Sequence, residues 1–156
     1  MQEIKTDAKI IFCSYSELGE EEKKLISSAK DAALSAYAPY SRFKVGAAVL
    51  IGSGDIITGN NQENTAYPSG MCAERVALFY ARSAHPESPI SILALAAYSG
   101  GKYKEEPITP CGACRQVLAE YEKSQCSDIK IIMYGENKIY IASSAKSLLP
   151  LAFTLE

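Results

Sequence analysis

At 156 residues, 47% of them hydrophobic and 22% charged, the chain has the length and composition of one folded domain with a sizeable core, which excludes a disordered polypeptide. A formal net charge of −2 gives no global positive field to collect nucleic acid or an anionic membrane, so a small, near-neutral ligand fits better. The opening Met1-Gln2-Glu3-Ile4-Lys5-Thr6-Asp7 lacks the apolar stretch of a signal peptide, and the longest apolar run, Ile92 to Tyr98, is far shorter than the ~20 residues that span a bilayer, so a cytoplasmic protein is expected.

In chain order, Lys9 to Cys13 reads as a short strand. Ser16 is placed to cap a helix whose first turn carries Glu17, Glu20 and Glu21. Leu18, Leu25, Ile26, Ala29, Ala32, Ala33 and Ala36 recur at helical spacing until Pro39 stops the run. Val45 to Ile51 and Ile56 to Thr58 flank Gly52-Ser53-Gly54-Asp55, which predicts an antiparallel hairpin. Asn60 to Gly70 is polar and reads as a loop.

Cys72 to Ser83 predicts a helix and Ser91 to Tyr98 a buried strand. Gly100 to Pro107 reads as a solvated surface loop. A second helix is predicted from Cys111 to Lys123, with Thr109 as cap and Pro110 at its first position. Ile129 to Tyr134 and Lys138 to Ala142 predict two strands around the turn Gly135-Glu136-Asn137, and a short helix follows near Ser144 to Leu149. Strands alternating with helices, without repeat or linker, predict one α/β domain over residues 1–156.

Five cysteines, Cys13, Cys72, Cys111, Cys114 and Cys126, are an odd number and argue against a disulfide framework. Cys72-Ala73-Glu74-Arg75 and Pro110-Cys111-Gly112-Ala113-Cys114-Arg115-Gln116 open two helices separated by about one crossover, so Cys72, Cys111 and Cys114 can converge on one metal. Three protein ligands with an open fourth position are the pattern of a catalytic zinc. Three thiolates overbalance the zinc charge, and two helix N-termini with Arg75 or Arg115 would offset the excess. Glu74, two residues from Cys72, suits general acid–base work beside the open position. A Cys-x-x-Cys alone also fits a structural zinc; the added Cys-x-Glu and the proline before Cys111 match the zinc deaminase signature.

With these motifs the sequence closely resembles the cytidine deaminase family, specifically its small homotetrameric type, from Tyr37 to Phe153. The resemblance implies a three-layer α/β/α domain with a five-stranded mixed sheet, one catalytic Zn2+ and hydrolysis of cytidine and deoxycytidine to uridine and deoxyuridine in pyrimidine salvage. Cysteine rather than histidine at Cys72 matches the nucleoside branch. Ala38-Pro39-Tyr40-Ser41-Arg42-Phe43-Lys44-Val45-Gly46 resembles the family's first-strand segment and gives Phe43 the role of packing against the pyrimidine. Asn61-Gln62-Glu63-Asn64 resembles the segment whose first Asn and Glu bind the ribose 3′-hydroxyl, here Asn61 and Glu63.

By the same resemblance the Ala73 N–H meets the base's O2, the Thr109 carbonyl accepts from the leaving amine, and Tyr67 stands near the entrance. Leu148-Leu149-Pro150-Leu151-Ala152-Phe153 resembles the C-terminal segment whose Phe reaches a neighbouring subunit's site, so Phe153 and a homotetramer are implied. Residues 1–15 are an N-terminal extension and Gly100 to Pro107 a longer loop than the family pattern. Cys13 and Cys126 are expected to be small buried residues. The rivals are a deaminase for a cytosine-containing antibiotic such as blasticidin S, an editing module on nucleic acid, and a catalytically dead zinc-stabilised protein.

Overall fold

The computed structural model describes residues 1–3, 6 and 8–155, so Ile4, Lys5 and Asp7 of the expected extension and the final Glu156 lie outside the described residues. Alternation along β2 (Lys44–Ile51) organises the rest. Ala47, Val49 and Ile51 join one apolar cluster while Ala48 and Leu50 join another, because successive side chains of a strand point to opposite faces. A strand buried on both faces needs helices on both, and β4 (Ile90–Ser99) divides in the same way.

α1 (Glu20–Leu34) covers one face with Leu25, Ile26 and Ala29. α2 (Ala73–Ala84) and α3 (Gly112–Gln125) cover the other with Ala73, Ala77, Leu78 and Leu118. The three-layer α/β/α arrangement is therefore present. The strand order is β1-β7-β6-β4-β2-β3, with β1 Ile10–Cys13, β3 Ile56–Asn60, β6 Lys130–Tyr134 and β7 Ile139–Ala142. The β4–β6 pair is parallel, joined through α3, and the other pairs are antiparallel, so the sheet is mixed.

Among the described residues the sheet has seven strands rather than the expected five. Gly100 and Gly101, with φ of 65° and 82°, turn the chain so that β5 (Lys102–Tyr103) pairs back on β4. The segment read as a solvated loop is thus partly strand, and the rings of Tyr98 and Tyr103 pack edge-on with centroids 5.2 Å apart.

Four helix boundaries differ from expectation. Ser16 lies in a 3-10 turn, Tyr15–Glu17, and α1 begins at Glu20, where Glu22 reaches back 2.9 Å to the Gly19 N–H. α1 ends at Leu34, before Pro39, because Lys44 donates to the Leu34 carbonyl at 2.7 Å and Asn60 to the Ala32 carbonyl at 3.0 Å. The C-terminal helix is a single 3-10 turn, Ala145–Ser147, capped by the Ser144 hydroxyl. Thr109 and Pro110 precede α3, whose N-cap is Cys111 in extended conformation.

β3 passes close under the start of α2. A Cβ at Gly59 would fall 2.5 Å from the Ala77 nitrogen and 2.8 Å from the Ala73 carbonyl, so this glycine sets how deeply the helix bearing Glu74 sits.

Candidate active site

Two helix N-termini deliver the cysteines. Cys72 is the N-cap of α2, Cys111 is the N-cap of α3, and Cys114 lies in the first turn of α3. Their sulfurs lie within 4.8 Å of one another, with Cys72 to Cys111 at 3.8 Å and Cys111 to Cys114 at 3.5 Å. Zn–S bonds of about 2.3 Å at tetrahedral angles put sulfurs about 3.8 Å apart, so the donor set and its spacing fit zinc with a fourth position free. Cys114 is buried, Cys72 half-buried and Cys111 exposed on the cleft side.

The thiol chemistry follows from this packing. The Cys114 thiol donating to it, together with the Arg75 guanidinium, holds the Cys72 thiol well below its usual range against the opposing effect of burial. Cys114 is pushed up by the same hydrogen bond and by burial. Arg75 Nη2 stands 3.7 Å from Cys72 Sγ, whereas its buried Nε has no hydrogen-bond partner. Of the two arginines considered for charge balance, Arg75 takes the sulfur; the guanidinium hydrogen bonds of Arg115 go to oxygen atoms of Thr109, Pro110 and Leu148.

Glu74 is 4% exposed. Burial pushes its carboxyl above the usual range, with the neighbouring Cys72 charge acting in the same sense. A carboxyl whose charged form is disfavoured by burial is suited to take up a proton and pass it on, which is the requirement for a proton carrier.

These groups floor a cleft of about 900 Å³. Phe43, Asn61, Glu63, Tyr67, Ala73 and Thr109 all line it, so six of the seven residues expected at the substrate come together. Asn61 is half engaged with backbone: its Oδ1 accepts from the Val45 N–H at 2.7 Å and its Nδ2 donates to the Phe43 carbonyl at 3.0 Å, which leaves one donor hydrogen and one lone pair. Glu63 accepts from the N–H groups of Tyr40 at 2.9 Å and Ser41 at 3.2 Å. The Ser41 hydroxyl and these N–H groups hold its carboxyl below the usual range.

Phe153 is the seventh, and it lies outside this cleft. The residue is 70% exposed, while its backbone N–H and carbonyl are clasped by the Gln116 amide at 3.1 and 2.8 Å. Sequence reasoning missed Tyr40 and Ser41 as cleft residues, although both sit in the segment that carries Phe43. Tyr40 packs edge-on against Tyr67 at 6.3 Å and forms the outer wall. Cys13 and Cys126 stand outside the cluster and neither is buried as expected: Cys13 is half-buried at the end of the edge strand β1, and Cys126 is exposed at the left-handed end of α3, φ 54°.

Comparison with known proteins agrees with this geometry. Residues 19–137 match the family model for the cytidine and deoxycytidylate deaminase zinc-binding region. A cytidine deaminase of Halalkalibacterium halodurans is 41% identical over 137 residues, 87% of this chain and 96% of the relative, and one of Sporosarcina psychrophila is 48% identical over 99 residues, 64% and 68% of the two chains. A crystal structure of cytidine deaminase from Burkholderia pseudomallei superposes with a TM-score of 0.72 at 40% identity, covering 83% of this chain and 97% of that one. With three thiol donors and a buried carboxyl inside the matched region, the chain belongs to the zinc-binding cytidine and deoxycytidylate deaminase family and is an enzyme of that class.

Proposed function

We propose that the chain hydrolyses the 4-amino group of cytidine and deoxycytidine, giving uridine or deoxyuridine and ammonia, as a cytoplasmic enzyme of pyrimidine salvage. The observation that carries this reading is the buried Glu74 carboxyl beside the Cys72, Cys111 and Cys114 cluster at the floor of one cleft. Zinc held by those three sulfurs supplies Lewis acidity that makes water a nucleophile near neutral pH. Glu74 removes one proton from the attacking water and delivers it to the ring nitrogen beside C4, where it stays in the product; it then takes the proton of the new C4 hydroxyl and hands it to the amine, which departs as ammonia while the C4 carbonyl forms.

The other residues position the base. The Ala73 N–H, at the positive end of α2, meets the O2 oxygen, and the Thr109 carbonyl accepts from the amine. Phe43 packs on the ring. Asn61 and Glu63 hold the ribose hydroxyl, Asn61 through its remaining donor and lone pair. The cleft's lining is acidic at Glu63 and Glu74, and Arg75, the cationic residue there, is turned to a sulfur; this favours a nucleoside over its 5′-phosphate.

The whole chain acts as one catalytic domain in this reading, and four copies assemble so that Phe153 of one closes the site of another. Its exposed ring on a clasped backbone supports that role. Following the absorbance of cytidine and of deoxycytidine with purified protein tests the activity. Loss of the cytosine band with equimolar ammonia is the expected result; an unchanged spectrum with zinc-loaded protein refutes it.

A further inference from the structure

The wall of the cleft that carries Ile108 and Thr109 runs from β5 to the N-cap of α3. Its beginning is pinned by backbone: Glu136 donates to the Lys104 carbonyl and Asn137 to the Glu105 carbonyl, both at 3.0 Å. The approach is close because Gly135 lacks a Cβ, which would fall 2.6 Å from the Glu105 carbonyl and the Pro107 nitrogen. At its other end the wall is held by hydrogen bonds from the side chain of Arg115. Nε of Arg115 donates to the Pro110 carbonyl at 2.8 Å, Nη1 to the Leu148 carbonyl at 3.0 Å, and Nη2 to the Thr109 hydroxyl at 3.4 Å.

We infer that Arg115 is a positioning residue of the active site: its guanidinium fixes the Thr109–Pro110 backbone, directly before Cys111, against the C-terminal segment at Leu148. The planar fork of an arginine reaches three acceptors in fixed directions, which an ammonium on a single stem does not reproduce. Ile108 and Leu148 also pack on the same apolar cluster, so the strut joins two segments already seated on one core. The position of Thr109 in the cleft, and with it the carbonyl assigned above to the leaving amine, then depends on the order of the C-terminal segment. This inference rests on the proposed deaminase reading for its effect on rate, but the strut itself does not.

Arg115→Gln and Arg115→Lys in the full chain, each loaded with zinc, test it by two measurements. Amide hydrogen exchange over 108–111 and 148–149 is expected to quicken in both variants, and kcat/KM per bound zinc to fall about 10- to 100-fold with an unchanged pH profile, since a misplacement of about 1 Å costs on the order of 10²-fold. Unchanged exchange overturns the strut. Restoration of wild-type rate by lysine shows that charge, not geometry, is what matters, and faster exchange with a wild-type rate shows a purely structural tie; either result overturns the positioning role. If the wild type fails to deaminate cytidine, the functional reading fails, and the exchange measurement still decides the strut.

Discussion

Arg75 stands one helical turn after Cys72 and brings Nη2 to 3.7 Å of its sulfur, so a full positive charge faces the thiol cluster from the same helix that Cys72 caps. Removing that charge leaves the thiolate excess to two helix N-termini alone. Arg75→Gln is expected to raise the Cys72 thiol pKa and to weaken zinc binding about tenfold at neutral pH, read by competition with a chromogenic chelator. Equal affinity in variant and wild type contradicts the charge-balance role.

Glu122 is a second buried carboxylate, and its role is structural. It accepts from the Ile129 N–H at 2.8 Å, the Ser144 hydroxyl at 2.8 Å and the Ala145 N–H at 2.7 Å, tying α3 to the start of β6 and to the C-terminal 3-10 turn. Glu122→Ala leaves three buried donors unpaired and should cost about 3 kcal/mol, a fall in Tm on the order of 10 °C by thermal melting. A Tm within about 2 °C of wild type, equivalent to about 0.5–1 kcal/mol, argues against this account.

The contribution of Glu22 should depend on pH. Burial pushes its carboxyl up, but hydrogen bonds from Lys130 and from the Gly19 N–H, with the Lys130 charge, outweigh that and hold it below the usual carboxylate range. A folded pKa lower than the unfolded one means that the stabilisation is fully present above the unfolded value and is lost as pH falls through the folded one. Glu22→Gln should therefore be less stable than wild type by about 0.5–1 kcal/mol at pH 7, with the difference vanishing in strong acid. Denaturant titrations at pH 7 and near pH 3 check this; a difference that grows in acid is the wrong sign.

The parts of the site that lie close together in sequence were legible in it. Cys72, Glu74, Cys111 and Cys114 sit in two short motifs whose helix starts are marked locally, and α2 begins within a residue of its expected place. The hairpin around Gly52 to Asp55 was equally plain. What was not legible depends on distant partners. Nothing near Glu122 distinguishes it from the solvated Glu120, since its partners lie 7, 22 and 23 residues away. β5 is two residues long and charged at Lys102, so its pairing with β4 is visible only once the Gly100-Gly101 turn is formed. The start of α1 was misplaced because Gly19 has no capping side chain and the bond comes backward from Glu22.

Phe153 presents an exposed ring from a backbone held by Gln116. If that ring closes a neighbouring copy's site, Phe153→Ala should raise KM for cytidine about tenfold, keep bound zinc, and leave a tetramer or a weakened one by light scattering. A fully active monomeric wild type contradicts both the assembly and the shared site.

The most direct test of the account pairs metal analysis with turnover in the wild type and Glu74→Gln. The wild type is expected to hold about one zinc per chain and to deaminate cytidine. Glu74→Gln should hold the same zinc, keep the fold and lose at least about 10²- to 10⁴-fold in kcat, because the amide matches the shape of the carboxyl but carries no proton between water and base. A Glu74→Gln enzyme that works at the wild-type rate, or a wild type active without zinc, contradicts it.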